Sequence, residues 1–253
     1  MLIYFIYFWG MGETVVKPYS KEGGSKKEQV ATMFNNIAAR YDFLNHLLSM
    51  GIDVLWRRKA IKLLKARGPK NMLDIATGTG DFAIECLRLN PEKVTGIDIS
   101  QGMVSVGISK IEKRKLNDRI TLMVGDSENL PFADNTFDAI TVGFGVRNFE
   151  NLKKGLSEMH RVLKPGGQVA VLEFSKPKRF PIKQFYNFYF KRILPTIGKI
   201  VSKDASAYTY LPESVQAFPD GEAFAAILKE VGFNSCGIYP QSFGISTIYL
   251  AQK

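Results

Sequence analysis

From Asn71 onward, short runs of apolar and β-branched residues alternate with segments whose apolar positions recur at helical spacing. MLDIA precedes a helical stretch after Gly80, and VTGIDI precedes another after Ser100. ITLMVGD and FDAITVGF follow, then a helix over Leu152 to Leu163 and the run QVAVLEF. Strands alternating with helices in this way predict a parallel sheet wrapped by helices. The pattern changes near the end, where a helix over Gly221 to Val231 leads into Phe233 to Tyr239 and Ser246 to Ala251, joined by the turn PQSFG. So short a connection permits an antiparallel hairpin but no helical crossover, and the last strand should run against the others. The fold expected is α/β: a doubly wound, mostly parallel seven-stranded sheet with its last strand antiparallel.

Two segments are extra to that sheet. Before it, Gln29 to Ala39 and Asn45 to Lys65 read as helices, with apolar spacing at Leu47, Leu48, Leu55, Ile61 and Leu64. After QVAVLEF comes a long aromatic insertion, Phe180 to Tyr210, containing FYNFYF and AYTYL. Both are candidates for a lid. The expected organisation is a single domain over 28–253, with N-terminal helices over 28–68 and a lid insertion over 175–215. Residues 1–27 read as a disordered leader, because Lys21 to Lys27 (KEGGSKK) has the composition of a solvated linker.

The 253 residues, 45% hydrophobic and 23% charged, suffice for one sizeable core. The net charge of +10 fits nucleic acid, an anionic membrane surface or a well-solvated exterior. Lysines spread over presumed helix faces (Lys59, Lys62, Lys65, Lys110, Lys113, Lys115) favour the last. Cys86 and Cys236 show neither CxxC spacing nor a flanking His pair, so a reduced, cytoplasmic protein is expected. No His and carboxylate cluster has metal-ligand spacing, and no metal is expected.

The candidate chemistry starts at Leu73-Asp74-Ile75-Ala76-Thr77-Gly78-Thr79-Gly80-Asp81, a strand running directly into a glycine turn and a helix. In that context a ligand meets a helix N-terminus at the carboxyl end of a sheet, and Gly78 and Gly80 let the backbone come close to it. Asp98 ends the next strand about 20 residues on, where an acid can bind both hydroxyls of a ribose. Gly125-Asp126-Ser127 closes the third strand, where it could read an adenine ring. A nicotinamide dinucleotide fits less well, since Phe82 and Ala83 occupy the neighbourhood of the third fingerprint glycine.

This order of elements, followed by Leu163-Lys164-Pro165-Gly166-Gly167, resembles the Rossmann-like class I S-adenosylmethionine methyltransferases. Val30 to Ala38, Arg40-Tyr41-Asp42, Leu44-Asn45-His46, Leu55-Trp56-Arg57-Arg58 and Phe144-Gly145-Val146-Arg147-Asn148 narrow it. Together they resemble the ubiquinone and menaquinone biosynthesis C-methyltransferase family over essentially Glu28 to Lys253. The resemblance implies S-adenosylmethionine as methyl donor and a prenylated quinol as acceptor. The acceptor would be demethylmenaquinol or a methoxy-benzoquinol precursor of ubiquinone. It places Thr77, Asp98, Asp126 and Ser127 at the cofactor. Some ubiquinone-pathway relatives have serine where this chain has Gly143, which inclines the reading toward menaquinone and removes one polar cofactor contact.

Methylation of a ring carbon needs in-line positioning and help in removing a phenolic proton whose ordinary pKa is about 10. Asp126, directly or through water, is the first candidate base, with Arg147 and Asn148 holding the developing oxyanion. Tyr41 and His46 come next. Each has a plainer alternative: Arg147 as half of an ion pair, Tyr41 as lid core, His46 as a packed or capped helix residue. His160 reads as structural.

Two rival functions carry less. A nucleic-acid methyltransferase would gain from the positive charge, but GFGVRN is no clamp for a flipped base, and neither cysteine stands at a strand end as a nucleophile. No nucleic-acid partner is expected. A non-catalytic cofactor-binding assembly protein would bind S-adenosylmethionine without consuming it. The aromatic insertion leaves peripheral contact with the inner face of a membrane open beside plain core packing. A homodimer is likewise left open.

The opening run Met1 to Trp9 (MLIYFIYFW) is about half the roughly 20 residues that a spanning helix needs, and it has neither a leading basic residue nor a small-residue cleavage site. Translation is expected to start at Met11. A chain beginning there should melt and turn over like the longer one. A large drop in melting temperature would show instead that the run packs on the fold.

Overall fold

A computed structural model describes residues 15–19, 22–64, 68–193, 196 and 206–253. Of the expectations above, the start at Met11 and part of the aromatic insertion lie outside them. The helices are α1 (Lys26–Ile37), α2 (Tyr41–Ser49), α3 (Ile52–Leu64), α4 (Asp81–Cys86), α5 (Gln101–Lys113), α6 (Leu152–Val162), α7 (Ile182–Phe188), α8 (Ser206–Ala217) and α9 (Glu222–Glu230). The strands are β1 (Asn71–Ile75), β2 (Lys93–Asp98), β3 (Ile120–Val124), β4 (Phe137–Gly143), β5 (Leu163–Phe174), β6 (Ser235–Gln241) and β7 (Ser246–Gln252).

They form one seven-stranded sheet in the order β3-β2-β1-β4-β5-β7-β6. The pairs β1–β2, β1–β4, β2–β3 and β4–β5 are parallel. β7 runs antiparallel to both β5 and β6, as the short PQSFG connection requires.

Because strand side chains alternate between faces, the buried strands supply two cores. Leu73, Ile75, Val169, Val171 and Tyr249 face one side with Leu156 and Met159 of α6 and Phe224 and Leu228 of α9. Met72, Ala170, Leu172 and Ile248 face the other with Trp56 and Ile61 of α3, Phe82 of α4 and Ile111 of α5. A third cluster joins the two extra segments: Val30, Met33 and Ile37 of α1 pack with Met103, Tyr186, Phe190, Tyr208 and Tyr210.

Three local expectations need correction. The KEGGSKK stretch is not all solvated linker: Ser25 and Glu28 make a capping box that starts α1 at Lys26, and Lys26 is buried. The helix expected over Asn45 to Lys65 is two helices. Met50 and Gly51 both take positive φ between them, and Ser49 Oγ accepts from Gly51 N and donates to Asp53. Lys110 is no solvated lysine either, since its ammonium lies 2.8 Å from Asp81 and also pairs with Asp42.

The strand order changes direction between β1 and β4, and ligands of doubly wound sheets bind beyond the carboxyl ends at such a point. Here the backbone is unusual: Ala76 after β1 and Phe144 after β4 both have positive φ, and Gly80 starts α4 at φ 86. The two loops touch, because a Cβ built on Gly145 would stand 2.4 Å from the Cβ of Ala76. Neither atom sits at the end of a flexible side chain. Gly145→Ala should therefore cost about 1–3 kcal/mol through overpacking. Thermal unfolding would register this as a lower Tm, and an unchanged Tm would mean that the loops are not held in contact.

Candidate active site

At the end of β2, Asp98 is 9% exposed and fixed by two backbone donors: Gly78 N to Oδ2 at 2.8 Å and Ser100 N to Oδ1 at 2.8 Å. Burial pushes its carboxyl above the usual range, while these bonds favour the charged form. A cleft opens beside it, with Gly78, Asp98, Asp126, Ser127 and Asn148 among its lining. Asn148 Oδ1 is buried without a hydrogen-bond partner, an acceptor left for a donor on a ligand.

Two expected cofactor residues do not line this cavity. The Thr77 hydroxyl donates to Asp74 Oδ2 at 2.6 Å, and Gly80 turns the chain into α4. Asp74, fully buried, also accepts from Thr141 Oγ1 at 2.6 Å, and burial lifts its pKa to about 6. Thr77 therefore braces the loop from beneath.

A second cavity is lined mainly by aromatic and aliphatic side chains, among them Phe34, Tyr41, Phe144, Phe174 and Tyr208, with Arg147. Phe34 and Tyr41 line both cavities and meet edge to face with centroids 6.0 Å apart. An acid-bearing and an aromatic chamber thus adjoin at one pair of rings.

Arg147 enters the aromatic chamber already partnered. Nη1 lies 2.8 Å from Glu173 Oε1 and donates to the Phe144 carbonyl, Nε donates to Ser214 Oγ at 3.3 Å, and the guanidinium lies 5.5 Å from the Phe174 ring centroid. The carboxylate of Glu173, at the end of β5, is completely buried, and burial raises its pKa against the pull of Arg147. Sequence reasoning passed over this partner, although a lone acid in the apolar run QVAVLEF was the available signal.

The other expected residues are placed as follows. Asp126 lines the cavity beside Asp98 and is not among the residues lining the aromatic one; its Oδ2 is 2.6 Å from Lys27 Nζ. Asn148 likewise lines the cavity beside Asp98, so Arg147 and Asn148 face different chambers. Tyr41 is half-buried, and desolvation pushes its phenol up to about 12. His46 lies on α2, but its side chain is outside the described residues. His160 packs edge to face on Phe233, away from both cavities. Among the described residues, no group of three or more His, Cys, Asp or Glu is placed to hold a metal ion.

The N-terminal helices tie down the strand-end loops. Asp42 accepts from Thr79 Oγ1 after β1, Asn35 Oδ1 from Gly102 N after β2 at 2.8 Å, and Lys27 pairs with Asp126 after β3. Lys26 Nζ donates to the Arg147 and Phe149 carbonyls after β4 at 2.8 and 2.9 Å. Burial, with the charge of Arg147 second, lowers its pKa to about 8.

A family model described as the ubiE/COQ5 methyltransferase family matches residues 22–253. The chain belongs to this family. It is 54% identical to a demethylmenaquinone methyltransferase of Bacteroides fragilis, covering 94% of this chain and 97% of that one. A protein of the same name from Porphyromonas gingivalis is 48% identical, covering 94% and 98%. A ubiquinone/menaquinone biosynthesis C-methyltransferase of Geobacter sulfurreducens is 47% identical over 90% of each chain. Among solved structures, a SAM-dependent methyltransferase of Thermotoga maritima superposes with a TM-score of 0.60 at 19% identity, covering 88% of this chain and 99% of that one. One from Aquifex aeolicus gives 0.55 at 23%, covering 76% and 88%. These two bear on the fold alone, which is that of a class I S-adenosylmethionine methyltransferase.

In this family member the Arg147–Glu173 pair is testable by itself. Arg147→Ala strands a buried carboxylate and should cost about 3–5 kcal/mol of stability. Replacing both residues, Arg147→Leu with Glu173→Leu, should recover most of it. Denaturant unfolding checks both, and a double variant as unstable as the single one would show that the pair is not what Arg147 stabilises.

Proposed function

We propose that the chain transfers a methyl group from S-adenosylmethionine to the ring carbon of demethylmenaquinol, forming menaquinol. The observation that carries this reading is the meeting of an acid-bearing chamber with an aromatic one at Phe34 and Tyr41. The demethylmenaquinone methyltransferases that cover nearly all of the chain support the choice of acceptor. So does Gly143, where a Cβ would lie 2.9 Å from the Phe82 ring, leaving no room for a serine there without a shift.

In this reading Asp98 accepts hydrogen bonds from the ribose hydroxyls, Asp126 and Ser127 border the adenine, and Asn148 offers its spare acceptor. Bound there, S-adenosylmethionine supplies an electrophilic methyl group. Phe34 and Tyr41 hold the acceptor ring against that chamber and keep water out. Arg147, fixed by Glu173, faces the quinol oxygen and stabilises the negative charge that grows as the phenolic proton leaves. Tyr41, protonated at neutral pH, serves as a hydrogen-bond donor and not as the base. His46, on the same helix, is the remaining candidate base. Among the described residues no helix is long and apolar enough to cross a membrane; in this reading the prenyl tail is met by a peripheral contact.

The deciding experiment offers demethylmenaquinol and a methoxy-benzoquinol precursor separately, with S-adenosylmethionine. Methylated product from the first, in preference to the second, is expected. Preference for the benzoquinol would move the chain to the ubiquinone pathway, and cofactor binding without consumption would make it a binding module. Asp98→Ala should weaken cofactor binding about tenfold to a hundredfold by calorimetry, since charge-assisted bonds contribute roughly 1.5–3 kcal/mol. Arg147→Ala, assayed below its melting transition, should cut kcat about a hundredfold and change cofactor affinity less than about threefold. Equal losses in both would place Arg147 at the cofactor.

A further inference from the structure

Resting on that reading of the acceptor, we infer that α7 and the β6–β7 turn form a docking face for an anionic lipid bilayer. Four large rings stand in solvent there: Phe180 is 80% exposed, Phe185 69%, Phe188 60% and Phe243 82%. Phe185 and Phe188 are three residues apart on α7 and so share one face of that helix. The opposite face is anchored. Tyr186 and Phe190 are buried and stacked with centroids 4.2 Å apart, and Phe190 meets Phe174, a wall of the aromatic chamber, at 6.2 Å. The turn is held beside the start of the insertion: Trp56 Nε1 donates to Ser242 Oγ at 2.9 Å, Ser175 Oγ donates to the Gly244 carbonyl at 2.9 Å, and a Cβ on Gly244 would lie 3.7 Å from Pro177.

Charge selects the occupant. From Ser175 to Ile193 the chain has no Asp or Glu but carries Lys176, Lys178, Arg179, Lys183, Lys191 and Arg192. Lys176 is paired with Asp220, whereas Lys178, Arg179, Lys183 and Arg192 are exposed and unpaired among the described residues. A second copy presenting the same face would set like charges against each other. Anionic headgroups complement these cations while the phenylalanine rings enter the interfacial layer. Contact here brings the bilayer that holds the prenyl tail to the outside of α7, which Tyr186 links through Phe190 to Phe174, a wall of the aromatic chamber.

The test sediments the full chain with vesicles of phosphatidylcholine alone and of phosphatidylcholine mixed with phosphatidylglycerol. Binding to the mixed vesicles, weakened by salt, is expected, with far less to the neutral ones. Phe185→Ser with Phe188→Ser, and Lys178→Glu with Arg179→Glu, should each lower the partition at least about tenfold. Both pairs should keep the wild-type Tm and the wild-type turnover of a short-tailed, water-soluble quinol. Equal binding by the variants, equal binding to neutral vesicles, or no binding at all overturns the docking face. So does a dimer in light scattering that the phenylalanine pair dissolves, because the face would then join two copies. If the short-tailed quinol is not methylated by the unaltered chain, the acceptor reading fails separately, and sedimentation still decides the docking face.

Discussion

Everything at the carboxyl edge of the sheet depends on the grip of α1 and α2 on four loops. A doubly wound sheet places its loops after β1, β2, β3 and β4 around one crevice, but loops of that length are free to splay. Here each is held by a polar side chain from the N-terminal helices: Asp42 on Thr79, Asn35 on Gly102, Lys27 on Asp126, Lys26 on the carbonyls after β4. The same helices present Phe34 and Tyr41 to both chambers. Assembly of the cofactor side and closure of the acceptor side are therefore a single packing event.

The sheet was legible because its information is local. Alternation of short apolar runs with helical periods, the two-glycine turn, Asp98 about 20 residues on and the short PQSFG connection each declare themselves within a few residues, and the structure places them as read except that Pro240 and Gln241 of that connection belong to β6. Where the reading failed, partners far away in sequence decided the matter. Lys26 looks like linker until the carbonyls of Arg147 and Phe149 close over its ammonium, more than 100 positions later. Lys110 looks solvated until Asp42 and Asp81 arrive. The break at Met50 and Gly51 was visible as a glycine, but the apolar spacing on either side continued across it and masked the turn.

The site residues divide in the same way. Thr77 is assigned to the cofactor by resemblance, and its hydroxyl proton goes to Asp74, a contact inside a single turn that motif matching does not resolve. Arg147 and Asn148 are neighbours in sequence and were given one role. A short helical turn over Val146–Asn148 sends their side chains to different chambers.

Glu173 changes what Arg147 can do. A free guanidinium in a chamber of aromatic rings would move toward whatever charge entered and would lose stabilising power through that movement. Held by a fully buried carboxylate, a backbone carbonyl and the face of Phe174, it has its orientation set before an acceptor arrives. Electrostatic stabilisation of a transition state is strongest when the dipoles and charges need no reorganisation at the moment of reaction. The arrangement has a counterweight: Glu173 offsets much of the positive charge, so the chamber does not draw anions in general. On the proposed reading, a neutral quinol enters without opposition, and the pair acts mainly when the departing phenolic proton leaves charge on the ring oxygen, through the guanidinium donors that Glu173 does not occupy. An ion pair that reads as mere structure is in this way compatible with selective assistance to a neutral aromatic acceptor.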